Sequence, residues 1–151
     1  MDIPLWKVIA FLFTTGVVLF ALWRGGPPER AVAVLLFIGT RITPLIPDRR
    51  WIDVQTAMML IDIAAFLILA GLALWVDRWW VMWTAGLQGL AVVVHLAFWA
   101  QQKVISLVYI TALNMLGYAV FVTLLTGTVA HMQRQRRLSA GVGAGGPATS
   151  A

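Results

Sequence analysis

The sequence predicts an all-α membrane protein, a polytopic bundle of five transmembrane helices whose second helix is short or irregular. Hydrophobic residues make up 61% of the 151-residue chain and charged residues only 11%, whereas about 25% of the residues in a soluble domain are charged. Apolar segments long enough to cross a bilayer recur along the chain, since a hydrocarbon core about 30 Å thick needs about 20 helical residues. The chain has no cysteine, which excludes disulfides, thiolate metal sites and cysteine nucleophiles.

Four segments are clear transmembrane candidates and one is doubtful. The clear segments are residues 4–23, 53–76, 79–100 and 104–130. The doubtful segment is 31–47, because glycine, threonine, arginine and proline interrupt its apolar run after Ile38. It either spans the bilayer with a frayed end or lies at the interface as a re-entrant piece, which leaves a four-span variant open. We assign residues 1–137 to the bundle and expect residues 138–151, rich in Ala, Gly and Ser, to be a flexible tail.

The net charge of +5 is spread over short loops and one basic end. No basic stripe with interleaved aromatic residues is present, so nucleic acid is not expected as a partner and the lipid bilayer is. Arg134, Arg136 and Arg137 form the densest basic cluster and are predicted to contact lipid phosphates. Their position after the last span predicts a cytoplasmic C-terminus.

Eight tryptophans lie mostly near the ends of the predicted spans. This distribution is typical of the aromatic belt at headgroup depth. Trp75, Trp79, Trp80 and Trp83 gather at the tip of one helical hairpin. We interpret these four as belt residues, with a stacking surface for a ring or a partner protein as the alternative.

Polar residues inside the spans carry the functional hypotheses, because their burial in a bilayer is costly. Gln88 and His95 are seven residues apart and share a helix face, as do Gln55 and Asp62. Counting about 1.5 Å per residue brings these side chains to overlapping depths, with Tyr109 placed to join them. The predicted intramembrane polar cluster consists of Arg41, Asp62, Gln88, His95 and Asn114. In this cluster Arg41 is expected to neutralise Asp62.

The cluster has two interpretations. It holds helices together, or it binds a ligand or relays protons. His95, Gln88 and Tyr109 are the candidate ligand-binding residues, for a quinone or haem b. His131 is not expected to share a haem iron with His95, since the two lie more than about 20 Å apart by helical rise; Met58 or Met59 is the alternative second ligand.

Catalytic motifs give no further assignment. The chain has no nucleophile elbow, phosphate loop or metalloprotease motif. A zinc site lacks ligands, because the two histidines are far apart and one aspartate is deep in a span. No catalytic residue, metal or resident cofactor is therefore predicted, and an enzyme is not favoured.

One stretch resembles a known group of proteins. Residues 75–99 contain Asp77-Arg78-Trp79-Trp80, Trp83, Gln88 and His95 in an order similar to a segment of small, uncharacterised multi-spanning proteins of proteobacterial inner membranes. The resemblance covers about a sixth of the chain. It implies a multi-spanning topology in a bacterial inner membrane and carries no catalytic role.

The sequence favours a non-enzymatic accessory or scaffold subunit that packs with a larger inner-membrane complex or with itself. Little of the chain lies outside the bilayer, and small residues recur on the later helices. One alternative is a redox or ligand-binding protein with quinone or haem b near His95. The other is a small channel or proton-linked transporter that uses Asp62 and Arg41. The sequence specifies neither the partner nor the oligomeric state.

Overall fold

A computed structural model of the chain describes residues 4–42, 51–100 and 106–144. Within these ranges the fold is all-α. The helices are α1 (Leu5–Arg24), α2 (Pro27–Ile42), α3 (Trp51–Trp75), α4 (Trp79–Ala100) and α5 (Ser106–Ala144). Among the described helices, four (α1, α3, α4 and α5) are long and apolar enough to cross a membrane. The predicted all-α membrane bundle is confirmed.

The doubtful second segment is a regular helix of 16 residues. Pro27 and Pro28 fit its first turn, where a backbone N–H would have no intrahelical partner in any case. At about 1.5 Å per residue α2 is about 24 Å long, which is short for a complete span. It returns beside α1, since Arg41 near its end donates a hydrogen bond to Thr15 of α1. Residues 43–47 of the predicted segment lie outside the described residues.

The last helix is longer than predicted. We expected the span to end at residue 130 and a flexible tail to begin at residue 138, but α5 continues to Ala144. Residues 133–140 are mainly Gln, Arg, Leu and Ala, which are good helix formers and extend the helix beyond the bundle. The tail boundary at residue 138 was therefore wrong, and residues 145–151 lie outside the described part.

α4 packs along both α3 and α5. The connection between α3 and α4 contains only residues 76–78, so these helices form the predicted antiparallel hairpin. α1 and α2 pack against each other and against α5. Buried side chains such as Val32 of α2, Val81 of α4 and Leu124 of α5 form the shared core.

Trp80 belongs to this core and not to the aromatic belt. Its side chain is 1% exposed and lies against Gly127 of α5, where an added Cβ would come 2.5 Å from the indole ring. Trp75, Trp79 and Trp83 are exposed, as a belt requires. The prediction was wrong for Trp80 because the missing side chain of Gly127 opens a groove that the indole fills.

Candidate functional site

One face of α4 carries buried polar side chains along most of its length. Thr84, Gln88 and His95 are all buried. Their spacings of four and seven residues place them on the same side of a helix. Because α4 packs against α3 and α5, these side chains meet polar groups of both neighbours inside the bundle.

Asp62 of α3 receives two contacts from α4. Gln88 Nε2 donates a hydrogen bond to its Oδ1 at 2.7 Å, and His95 Nε2 lies 2.8 Å from its Oδ2. The side chain of Asp62 is 29% exposed, whereas that of His95 is only 2% exposed. Asp62 is therefore the member of this group that remains accessible.

The second ring nitrogen of His95 is also occupied. Tyr109 of α5 places its hydroxyl 2.6 Å from Nδ1 and donates a hydrogen bond to Gln55 Oε1 of α3 at 2.5 Å. Because Tyr109 has one proton and donates it to Gln55, the bond to His95 is made by the Nδ1–H group. Gln55, Asp62, Gln88, His95 and Tyr109 thus form one connected unit, which we call the buried network.

The proton count of the network keeps the Asp62–His95 pair neutral. A proton must lie between Nε2 and Oδ2, because two lone pairs facing each other at 2.8 Å would repel. The pair is therefore either imidazolium with carboxylate or imidazole with carboxylic acid. Both arrangements avoid an unpaired charge, which would be costly inside a bilayer.

A cavity of about 140 Å³ lies beside Asp62 and Gln88. The rest of its wall is largely apolar and comes from Leu35, Leu36, Gly39, Thr40, Ile61, Ala65, Gly117, Val120 and Phe121. At about 30 Å³ for each molecule of liquid water, this volume is large enough for about five waters. The accessible carboxyl group therefore borders a space that is large enough for water.

The structure does not bring Arg41 into the network. Its guanidinium lies over the rings of Phe11 and Phe37, at 4.4 and 5.0 Å from their centroids, and donates to Thr15. The predicted pairing of Arg41 with Asp62 was wrong because α2 directs this side chain towards α1. His95 is the partner of Asp62 instead.

Asn114 also lies outside the network. It is exposed on α5, and no hydrogen bond joins it to the network among the residues that the structure describes. Five residues separate it from Tyr109, which corresponds to about 140° around a helix with 3.6 residues per turn. Its predicted depth alone did not show that it faces away from Asp62.

Sequence reasoning missed two features of the bundle interior. Thr84 and Thr123 share a hydrogen bond of 2.8 Å between their hydroxyl oxygens. The spacing of four residues between Thr84 and Gln88 was the available signal. Glu29 of α2 is fully buried, and an acidic residue in the first turn of a helix gives no indication of burial.

The occupied ring of His95 argues against haem b at this position. Both nitrogens are engaged, so iron ligation would break the contact with Asp62 or Tyr109. His131 lies 22 residues beyond Tyr109 on α5, about 33 Å along the helix axis. The predicted separation of the two histidines is therefore confirmed. In the described ranges, no group of three His, Cys, Asp or Glu residues is placed to hold a metal ion.

The fold and the site define a small helical-bundle membrane protein with a neutral, buried hydrogen-bond network beside a cavity. Comparisons with protein families, curated proteins and solved structures find no match for this chain. The chemistry of the buried network is therefore what bears on its function.

Proposed function

We propose that this protein is a small proton-linked channel or transporter in which Asp62 and His95 take up and pass on a proton. The observation that carries the proposal is the unbroken chain of contacts from the cavity through Asp62, His95 and Tyr109 to Gln55. Acid and histidine chains inside membrane spans are typical of proton relays. A network that only held helices together would not need its acid to border a cavity.

The geometry allows a proton to move with little movement of heavier atoms. A proton that reaches Asp62 from the cavity displaces the shared proton from Oδ2 to Nε2. His95 then passes its Nδ1 proton to the Tyr109 oxygen, and Tyr109 releases its own proton to a water molecule at the end of the bundle where Gln55 lies. Each step breaks one O–H or N–H bond and forms another. The network regains its original proton number when one proton leaves.

Replacing Tyr109 with Phe is expected to slow proton flux at least about tenfold, because positioned proton-transfer groups contribute about 10²–10⁴ in rate. The substitution removes the hydroxyl that joins His95 to Gln55. The measurement is the collapse of a pH gradient in liposomes that contain the purified protein, a pH-sensitive dye and valinomycin with potassium for charge balance. Wild-type protein should collapse the gradient faster than empty liposomes.

Tyr118→Phe is the matched control, since Tyr118 is the other tyrosine of the chain. It lies exposed on α5 and its ring contacts Phe13 edge-on. Its replacement should leave the flux unchanged. Equal rates in empty and protein-containing liposomes would refute the proposed function.

We further propose that the membrane is a bacterial inner membrane, with the end of α5 on the cytoplasmic side. The densest basic cluster of the chain supports this orientation, namely Arg134, Arg136 and Arg137 near the end of α5. Exposed arginines close to span ends favour the cytoplasmic face and contact with anionic lipid. Arg134, Arg136 and Arg137 are exposed on α5 and free to reach lipid phosphates.

The second candidate function is a subunit that associates with itself or with a larger membrane complex. The exposed side chain of Asn114 favours it, because Gly117 and Tyr118 lie on the same exposed face of α5. An amide facing lipid is better satisfied by a second amide across a helix interface, and a glycine nearby lets the backbones approach. A second copy of this chain supplies both groups.

Asn114→Leu is expected to weaken self-association. Interhelical hydrogen bonds in membranes contribute about 0.6–2 kcal/mol, which corresponds to about 3- to 30-fold in the dissociation constant. The measurement is the monomer–dimer equilibrium in detergent by analytical ultracentrifugation. Thr126→Val is the control, because Thr126 is exposed on another face of α5 and its hydroxyl already donates to the Thr123 carbonyl. A wild-type protein that stays monomeric at all concentrations would contradict this role.

A further inference from the structure

Glu29 is a fully buried carboxyl group at the end of the bundle opposite Gln55. It lies in the first turn of α2, and neither of its oxygens has a hydrogen-bond partner in the described part of the chain. An ionised carboxylate in such surroundings is strongly disfavoured unless a cation binds it. Glu29 therefore needs a cation, and the smallest one that fits a closed interior is a proton.

The side chains of His131 of α5 and Glu29 both lie close to Gly26. If Gly26 carried a Cβ, that atom would lie 3.0 Å from Glu29 Oε2 and 3.2 Å from His131 Nδ1. The absence of a side chain at Gly26 is what lets the carboxyl group and the imidazole approach each other. His131 is only half-buried, so it connects the buried acid with the outside of the bundle.

Other charged groups at this end do not neutralise Glu29. They are Arg24 of α1, Arg30 of α2, Asp77 and Arg78 of the α3–α4 connection, and Arg134, Arg136 and Arg137 of α5. Among the described residues, none of them forms an ion pair with Glu29. The contacts around Gly26 place the imidazole of His131 beside this carboxyl group, although no hydrogen bond joins the two.

Polar groups continue from this end towards Asp62. Trp80 Nε1 is a second buried polar atom without a partner among the described residues. Thr84 follows one turn later on α4 and is bonded to Thr123, and Gln88 follows after another turn and donates to Asp62. Four residues rise about 6 Å along a helix, so these polar groups follow one another at intervals of about one turn.

We propose that Glu29 and His131 form a second proton-binding site, through which protons pass between this end of the bundle and the cavity beside Asp62. This inference rests on the proposed proton-linked function and adds a second opening, through which protons enter or leave the bundle. Glu29 holds the proton as a neutral acid and transfers it to His131 through a water molecule, since no hydrogen bond joins the two side chains directly. The O–H bond of the acid breaks as an O–H bond of the water forms, and another O–H bond of that water breaks as the N–H bond of His131 forms. The carboxylate and the imidazolium remain near each other until a proton from the Trp80 side or from outside restores the acid.

Because Glu29 is the only glutamate of the chain, a single isotope label reports on it without any substitution. Protein made by cell-free synthesis with glutamate labelled with ¹³C at the side-chain carboxyl should give one carboxyl signal by NMR in detergent. We expect the signal of the neutral acid at pH 7. His131→Asn should change the pH at which this signal becomes that of a carboxylate.

Flux measurements test the role of the site in transport. Glu29→Gln should lower proton flux at least about tenfold, whereas Asp77→Asn, at an exposed acid of the same end, should not. If Glu29→Gln does not fold, His131→Asn replaces it in this measurement with the same expected loss. An unchanged flux in the variant measured would overturn the role in proton passage.

The two measurements separate this inference from the proposed function. A carboxylate signal at pH 7 that is insensitive to His131→Asn would overturn the proton-binding site, even in a protein that conducts protons. A neutral-acid signal in a wild-type protein without any flux would support proton binding at Glu29 and refute both the transport function and the second opening.

Discussion

Asp62→Asn is expected to stop proton flux while the bundle stays folded. Asparagine retains an oxygen that accepts the bond from Gln88 Nε2. Its side-chain N–H can donate to His95 Nε2, so that His95 still donates from Nδ1 to Tyr109. Every hydrogen bond of the network survives, but the amide cannot take up a proton from the cavity. We expect a loss of about 10²–10⁴ in the rate of pH-gradient collapse.

Asp77→Asn is the matched control because it makes the same chemical change at an exposed acid outside the buried network. Its flux should equal that of the wild type. Thermal unfolding in detergent should show similar midpoints for both variants. If Asp62→Asn conducts protons like the wild type, the network serves only to hold α3, α4 and α5 together.

Gly127→Ala is expected to destabilise the bundle strongly, although it adds only one methyl group. The added Cβ would lie 2.5 Å from Trp80 Cδ2. Trp80 is only 1% exposed, so its ring has no free space into which it can move. Overpacking of this kind costs about 1–3 kcal/mol. The measurement is the midpoint of thermal unfolding of the protein in detergent, followed by tryptophan fluorescence.

Gly86→Ala on α4 provides the comparison. No heavy atom lies within 4 Å of the Cβ position at Gly86. Alanine is a better helix former than glycine by about 1 kcal/mol, so this variant should be as stable as the wild type or more stable. Equal effects of the two substitutions would show that Trp80 does not pack tightly against Gly127.

Hydropathy predicted most of the fold because it is a local property of the chain. The predicted span 79–100 coincides with α4, and the short connection before it predicted the hairpin with α3. α2 was less certain, since its length and its interrupted apolar run fit a span only partly. The predicted end of the last helix came too early. Composition suggested a tail from residue 138, but α5 continues to Ala144 because the residues before the tail are good helix formers.

Helical periodicity predicted which residues of the site share a helix face. Spacing placed Gln88 and His95 on one face of α4, and rise per residue placed Asp62 within their reach. Residue spacing and helical rise do not show which neighbouring helix a given helix face packs against. Arg41 packs against α1 and Asn114 is exposed, because the rotation of each helix about its axis follows from side-chain packing with other helices.

The chain's own sequence thus accounts for its membrane class, for the bounds of its central helices and for the depth of its polar residues, since each depends on residues close together in the chain. Three features depend on the packing of separate helices: the partner of Asp62, the burial of Trp80 against Gly127, and the approach of Glu29 and His131 at Gly26. Those contacts join residues between 26 and about 100 positions apart, and no local pattern encodes which helix faces come together.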